Sequence, residues 1–400
     1  MRSSSICPKI EVVFQFGSYY TPPEHVGILR STAGNLPAIL ARVRALKKSL
    51  GAVLHTGIAR GHRGNPAASL RVVRIYCAPV FFSGLGPLLL LKSEENMIEQ
   101  LYKELIMNTQ RFLPCTPRSV VYFLAGSLPG IGLLHLRQLS AFGMICRLPG
   151  NILKSHAVNI FSFATTTTKS WFWNIRDICL QYKLPHPLAL LSSPLPKEKY
   201  KKLMKKHVVD YWEQELRLEA SARDSLKYFK PEFMSLQRPH PLWTTAGSSP
   251  AKVSMANIQC HMLSGRYRTE QLCSHWSTNR AGACLLSPCC SSEVEDMPHI
   301  LQTCTALQPT REKLSLFTQA YVREACKDLP VIETIVKQFC TPSSQDFCQF
   351  LIDCSTLAPT ISAQQMHGSD ILEHLFHITR TWVYKIHKER MKLLGRWNYF

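Results

Sequence analysis

The amino-acid sequence predicts a mainly α fold with little β structure. Apolar residues recur at the spacing that places them on one face of a helix. One such stripe comprises Met97, Leu101 and Leu105. A longer stripe lies near the C-terminus, at Ile371, Leu375, Ile378, Trp382 and Ile386. Stretches rich in Pro, Gly and Ser separate these segments and no internal repeat is present, so the pattern favours individual helices that pack against one another.

The predicted elements follow from local signals along the chain. Ser93 is expected to start a helix as its N-cap, because Glu94 and Glu95 follow in the first turn, where carboxylates suit the helix dipole. The Gly/Arg segment 57–64 is expected to be a loop, either one that cradles phosphates or a plain flexible turn. Residues 185–196 and 239–250 are rich in Pro and Ser and predict linkers. Further helices are predicted over residues 36–54, 66–77, 133–146, 171–182, 197–219, 251–264, 268–277, 309–327, 330–340, 344–354 and 370–394.

Neither a membrane span nor a secretory signal is expected. The most apolar run, residues 78–91, is shorter than the roughly 20 residues that a span needs, and Gly and Pro interrupt it. We interpret this run as a buried core segment and expect no membrane partner. The first residues lack an apolar stretch long enough for a signal peptide. We therefore expect a nuclear and/or cytoplasmic location, with the 15 cysteines reduced or holding a metal.

Basic residues outnumber acidic ones and are unevenly distributed. The chain has 47 Lys and Arg against 27 Asp and Glu, a formal net charge of +20, and no Asp or Glu lies between His25 and Ser93. Residues 197–206 add a lysine run that forms either a solvated helix face or a phosphate-contacting surface. Charge of one sign over such spans favours a polyanion, RNA and/or DNA, as partner. The candidate contacts are Arg42, Arg44, Lys47, Lys48, Arg60, Arg63, Arg71, Lys201, Lys202, Lys205, Lys206, Arg266, Arg268, Lys388 and Arg390.

Three cysteines and one histidine form a cluster with the spacing Cys-x5-Cys-x8-His-x4-Cys. Zinc prefers four tetrahedral sulfur and nitrogen ligands, and two short ligand pairs joined by a loop can surround it. Because four protein ligands are at hand, the pattern predicts a closed, structural zinc site and not a catalytic one. The predicted ligands are Cys284, Cys290, His299 and Cys304.

Alternatives to this ligand set stay open at the level of the sequence. Cys289 could replace Cys290, since the two are neighbours. Cys273 and His275 lie close enough in the chain to compete for the ion. The metal-free interpretation is that the cysteines are small buried apolar side chains and the histidine lies on the surface.

The sequence lacks the residue patterns of the common catalytic sites. Polymerases hold two metal ions on paired aspartates, and no Asp-Asp occurs in this chain. Asp210 stands alone in a basic helical segment. No Gly-x-Ser-x-Gly, His-Glu-x-x-His or dinucleotide fingerprint is present. A binding role is therefore expected in preference to an enzymatic one.

Five segments precede the Cys/His cluster in a fixed order: HVGILR at 25–30, YCAPVFFSGL at 76–85, VYFLAGSLP at 121–129, LHLRQLSAFG at 134–143 and MLSGRYRTEQL at 262–272. Taken in this order with the cluster, they resemble the C-terminal part of reverse transcriptases from non-LTR (LINE-type) retrotransposons. In that family a zinc-knuckle-like Cys/His element follows the polymerase, and here the matching positions are the four predicted ligands.

The resemblance implies a domain organisation. Residues 1–30 would be a remnant of the end of the palm, and residues 31–184 a helical region like the thumb and connector. Residues 185–250 would form a linker and a basic helix. Residues 251–400 would form a small helical C-terminal domain that contains the Cys/His cluster.

Departures from the family limit the activity that the resemblance implies. The palm, with its Tyr/Phe-x-Asp-Asp pair, would lie before residue 20 and is absent, as is the endonuclease. The cluster also differs from the retroviral Cys-x2-Cys-x4-His-x4-Cys spacing. We therefore expect a nucleic-acid-binding fragment without polymerase activity of its own. Two other hypotheses remain, a part of an RNA-directed DNA polymerase that is active only with a separate catalytic palm, or a degenerate element-derived protein with no selected function.

Overall fold

Helices make up nearly all of the regular structure in this computed structural model, which confirms the mainly α prediction. The β structure that it describes comprises an antiparallel pair, β1 (Glu24–His25) with β2 (Ile28–Leu29), and one isolated bridge between Ala283 and Val294. The structure describes residues 24–25, 28–29, 34–55, 64–150, 152–163, 170–275, 281–286, 290, 293–325, 345–357 and 368–395. The predictions for 57–63 and 330–340 fall outside these ranges.

The helices follow one another with short connections. They are α1 (Leu36–His55), α2 (Pro66–Val72), α3 (Ala78–Phe82), α4 (Lys92–Thr109), α5 (Arg118–Ala125), α6 (Gly130–Arg147), α7 (Ile152–Phe163), α8 (Trp171–Gln181), α9 (Pro187–Ser192), α10 (Lys197–Ser221), α11 (Pro241–Thr244), α12 (Pro250–Leu263), α13 (Glu270–Ser274), α14 (Gln308–Ala325), α15 (Gln345–Ile352) and α16 (Gly368–Leu393). A π-helical turn, Val73–Cys77, joins α2 to α3, and a second one spans His299–Thr303. Short 3-10 turns lie at Asp224–Leu226, Pro231–Phe233, Thr305–Leu307 and Cys354–Leu357.

The N-cap of α4 lies two residues earlier than the predicted N-cap. Ser93 lies inside the helix, and Leu91 is the N-cap residue. The reason is Glu94, whose carboxylate accepts a hydrogen bond from the Leu91 backbone N–H at 2.8 Å. The same carboxylate accepts one from the Asn35 side chain at 3.0 Å. This cap therefore ties α4 to the segment that precedes α1.

Helix α6 packs against both α4 and α10, and two of its glycines permit the close approach of α10. A Cβ at Gly132 would lie 2.7 Å from the indole nitrogen of Trp212, and one at Gly143 would overlap the ring of Tyr200. Glu99 of α4 lies at the other side, where it accepts a hydrogen bond from the Ile131 backbone N–H at 3.1 Å. A carboxylate at this position satisfies a helix N-terminus that has no acidic residue of its own.

The apolar run 78–91 contributes to the core, as predicted. Phe81, Phe82 and Leu85 are buried in a cluster of apolar side chains that extends from α1 to α16. Within the described residues no single helix is long and apolar enough to cross a membrane. Taken together, α5 and α6, whose axes differ by 62°, have the length and composition of a broken membrane span, on those two criteria alone.

Residues 239–250, predicted as a linker, are packed against the rest of the chain. Leu242 and Trp243 are fully buried, and the Trp243 indole N–H donates to the Gln110 side chain at 3.1 Å. From the C-terminal side, Arg380 of α16 donates to the Thr245 hydroxyl at 2.6 Å. The prolines and serines of this segment lie in turns and at helix starts near the buried side chains of Leu242 and Trp243. The domain division at residue 250 stays a prediction.

Candidate metal centre and basic surface

Cys284 is held by the isolated β-bridge. Its backbone N–H donates to the Glu293 carbonyl at 2.9 Å, and the Glu295 N–H donates to the Gly282 carbonyl at 2.9 Å. The Glu293 N–H donates in turn to the Cys290 carbonyl at 2.9 Å. These bonds close a small loop that directs both cysteines inward, where both are buried.

His299 and Cys304 lie at the two ends of a single π-helical turn. The Asp296 carboxylate accepts a hydrogen bond from the His299 backbone N–H at 2.8 Å and so caps the start of the turn. The Cys304 N–H donates to the His299 carbonyl at 2.8 Å and closes its end. Arg311 of α14 donates to the Cys304 carbonyl, which anchors the turn to the following helix.

These elements bring the four predicted ligands together. Their ligand atoms lie within 4.8 Å of one another, and all four residues are buried. The sulfur of Cys290 lies 3.5 Å from that of Cys284 and 3.9 Å from that of Cys304, and the remaining sulfur pair is 3.9 Å apart. A tetrahedral ion with metal–sulfur bonds of about 2.3 Å separates its sulfurs by about 3.8 Å. The group has the spacing and the donor atoms to hold a metal ion.

The imidazole of His299 is oriented for such a role. Its Nδ1 lies 2.9 Å from a carboxylate oxygen of Glu293. Its Nε2 is buried and has no hydrogen-bond partner. Histidines that bind metals commonly donate their second ring N–H to a carboxylate, which fixes the tautomer and leaves the other nitrogen for the ion. Nε2 is therefore the ligand atom that this arrangement provides.

The thiols differ in acidity. Burial raises the pKa of Cys284 to about 12 and also raises the pKa of Cys304. Burial acts in the same direction on Cys290, but its hydrogen bonds with Cys284, Thr305 and Cys304 outweigh it and lower its pKa. A divalent cation among the sulfurs would favour the thiolate at each of them.

Two of the alternative ligands, Cys273 and His275, are described by the structure but are not part of this group of ligand atoms. Cys290 occupies the position that the sequence left open between two neighbours, and Cys289 lies outside the described residues. Glu293, Asp296 and the backbone around them form the supporting shell, which the spacing of cysteines alone did not predict.

The predicted nucleic-acid contacts divide into exposed, half-buried and buried groups. Arg42 is half-buried, and Arg266 is half-buried and donates to the Cys115 carbonyl at 2.6 Å. Arg60 and Arg63 lie outside the described residues. The exposed members are Arg44, Lys47 and Lys48 of α1, Arg71 of α2, Lys201, Lys202, Lys205 and Lys206 of α10, Arg268, and Lys388 of α16.

Arg390 requires a correction. Its side chain is 1% exposed and forms an ion pair with Glu295, which is fully buried. Its guanidinium also lies 5.6 Å from the ring centroid of Tyr267. A group in this position holds α16 against the candidate metal-binding loop, residues 282–304, and does not face a phosphate.

Comparisons with protein-family models, with curated proteins and with solved structures found no match. The resemblance to non-LTR reverse transcriptases therefore rests on the sequence motifs alone. The arguments on function below are built from the geometry of the cluster and the position of the basic side chains.

Proposed function

We propose that Cys284, Cys290, His299 and Cys304 hold one zinc ion in a structural role. Three sulfurs and one imidazole nitrogen are a donor set that zinc accepts in tetrahedral geometry. Because all four ligands come from the protein and are buried, they leave no open position for a substrate or water. The observation that carries this proposal is the buried, unpartnered Nε2 of His299 beside three sulfurs at tetrahedral spacing.

Metal analysis of the purified full-length chain tests the zinc proposal. We expect one zinc per chain in the native protein, and less than about a tenth of that in Cys284→Ser and His299→Ala after dialysis against a mild chelator. Cys273→Ser and His275→Ala are matched controls, since they remove nearby side chains of the same types outside the cluster. Unchanged zinc content in both ligand variants would refute the assignment.

We further propose that the chain binds nucleic acid through its exposed basic helices and has no polymerase activity of its own. The observation that carries this proposal is the face of α10 opposite its buried residues. Met204 and Val208 point into the core, whereas the lysines between and around them are exposed. Those lysines are Lys197, Lys199, Lys201, Lys202, Lys205 and Lys206. A row of this kind contacts phosphates without reading base sequence.

The dependence of affinity on salt tests this second proposal. Binding of a labelled RNA or DNA duplex should weaken linearly in a plot of log affinity against log salt. Replacing the four predicted contacts of α10 by glutamine should reduce the slope by up to about 3.6, at roughly 0.9 for each phosphate that is no longer neutralised. Lys313→Gln on α14 is a control for an exposed lysine elsewhere. A flat plot for the native chain would overturn the proposal.

A further inference from the structure

A cavity of about 280 Å³ lies where the segment formed by α2 and α3 meets α4, α6 and α10. Three cationic side chains from three of these elements line it, namely Arg74, Arg137 and Lys205. Its remaining walls are mostly apolar, with Ser127 and Gln237 as polar neighbours. No aspartate or glutamate is among the described residues that line it.

The guanidinium of Arg74 is held by two backbone carbonyls, and some of its N–H groups have no acceptor among the described residues. Its Nη2 donates to the carbonyls of Ala125 and Gly126, the latter at 2.8 Å. A guanidinium has five N–H donors in a planar fork, so its Nε and Nη1 protons remain for a ligand. Burial lowers the pKa of Arg74, which means that the protein environment alone does not fully compensate its charge.

The other two cations are more accessible. Arg137 and Lys205 are both exposed, and across the described residues neither they nor Arg74 form an ion pair with a carboxylate. The nearby Tyr102 hydroxyl is 3.3 Å from the Ser127 hydroxyl. The cavity is therefore lined by one fixed and two exposed cationic side chains, and none of its described lining residues is a carboxylate that could neutralise them.

We propose that this cavity binds a phosphomonoester group, that of a nucleic-acid end. A phosphomonoester carries close to two negative charges near neutral pH, twice the charge of a backbone diester, and so matches a three-cation site better. The cavity is slightly smaller than the usual range for small-molecule pockets, so it suits a phosphate with part of its sugar. Lys205 also belongs to the lysine row of α10, which would lead a strand to the cavity. This inference rests on the proposed nucleic-acid binding for the source of the phosphate.

Fluorescence anisotropy with single-stranded oligonucleotides tests it on the full-length chain. Three probes share one sequence and carry a 5′-phosphate, a 3′-phosphate or only hydroxyl ends. We expect the native chain to prefer one phosphorylated probe about tenfold, the scale of one charge-assisted contact. The double variant Arg137→Gln, Lys205→Gln should lose that preference. Lys201→Gln, Lys202→Gln, on the same helix but outside the cavity, should weaken all three probes and keep the preference.

A second arm uses inorganic phosphate, measured by calorimetry, because free phosphate offers the same chemistry. Equal affinity for all three probes, together with no binding of inorganic phosphate, overturns the cavity proposal while the nucleic-acid function stands. Inorganic phosphate that binds the native chain but not the double variant, with no oligonucleotide binding, supports a phosphate site and overturns its nucleic-acid source. Arg74 is left unchanged in every variant because it also holds the carbonyls that end α5.

Discussion

Replacing Arg390 by methionine is expected to destabilise the protein through a residue that the sequence placed on the binding surface. The guanidinium and the Glu295 carboxylate pair in the interior, with side chains 1% and 0% exposed. The same carboxylate accepts a hydrogen bond from the Glu270 backbone N–H at 2.9 Å. Arg390→Met would leave a buried carboxylate with its charge uncompensated.

The expected cost is about 3–5 kcal/mol in the free energy of unfolding, the usual penalty for removing one partner of a buried ion pair. A second change, Glu295→Gln, removes the charge but keeps an oxygen to accept the Glu270 N–H. The double variant should therefore recover most of the loss. Lys388→Met, an exposed lysine on the same helix, should change the free energy by less than about 0.5 kcal/mol.

Urea unfolding of the zinc-loaded chain, followed by tryptophan fluorescence, measures these differences. A chelator assay adds a second readout, because Glu295 follows the β-bridge that positions Cys284. We expect zinc to leave Arg390→Met faster than it leaves the native chain or Lys388→Met. A cost below about 1 kcal/mol with unchanged zinc release would refute the view that this ion pair anchors the metal-binding loop.

Two further results are expected. Gly126 has a φ of +60° and a Cβ there would overlap the backbone of Arg238, so Gly126→Ala should cost about 3 kcal/mol or more in urea unfolding. Gly150→Ala, with a φ of +62° and open space around it, should cost about 1–2 kcal/mol, and equal costs would contradict the packing argument. Burial, aided by the charge of Arg390, lowers the pKa of His387 to about 4. The unfolded chain then binds more protons than the folded one below about pH 6.5, so the free energy of unfolding should fall as the pH drops from about 6.5 towards 4. His387→Gln should remove up to about 3 kcal/mol of that loss when urea unfolding is compared at about pH 7 and 4.5. Parallel plots of unfolding free energy against pH for the native chain and the variant would contradict this.

Much of the helical architecture follows from local sequence patterns. The stripe at Ile371 and Leu375 predicted a helix over 370–394, and the structure has one over Gly368–Leu393. Trp171 likewise begins α8, as expected. Local patterns were insufficient where a cap depends on a distant partner. Glu94 binds both Leu91 and Asn35, which moves the start of α4 away from the serine that the sequence signal favoured.

The grouping of the four candidate ligands was predictable because short-range spacing largely determines which side chains can meet. Two details were not. Cys289 and Cys290 are neighbours, so only the three-dimensional path of the loop decides which sulfur joins the cluster. The carboxylate of Glu293 orients His299 from six residues earlier in the chain, a separation that follows from the turn between them and from no regular helix or strand spacing.

The burial of Arg390, in contrast, could have been predicted from the apolar stripe of α16, but Arg390 was assigned to the binding surface on its charge alone. The apolar stripe of α16 ends at Ile386, and Arg390 lies one helical turn further on the same face. A basic residue that continues an apolar stripe is directed into the core and needs a buried partner. Lys388, two residues earlier, lies off that stripe and is exposed.

The candidate metal-binding loop depends on a few specific polar contacts. Between Gly282 and Cys304 the described backbone forms one β-bridge and one π-helical turn, which supply few of the hydrogen bonds that a regular helix would provide. The loop is instead held at its ends by the four-residue cluster and near its middle by the buried Arg390–Glu295 ion pair. Since both anchors act on the same short segment, loss of either one loosens the residues that the other requires. Metal binding and the packing of α16 should therefore be thermodynamically coupled. Substitutions in α16 that weaken its packing should then also lower the affinity of the cluster for a metal ion.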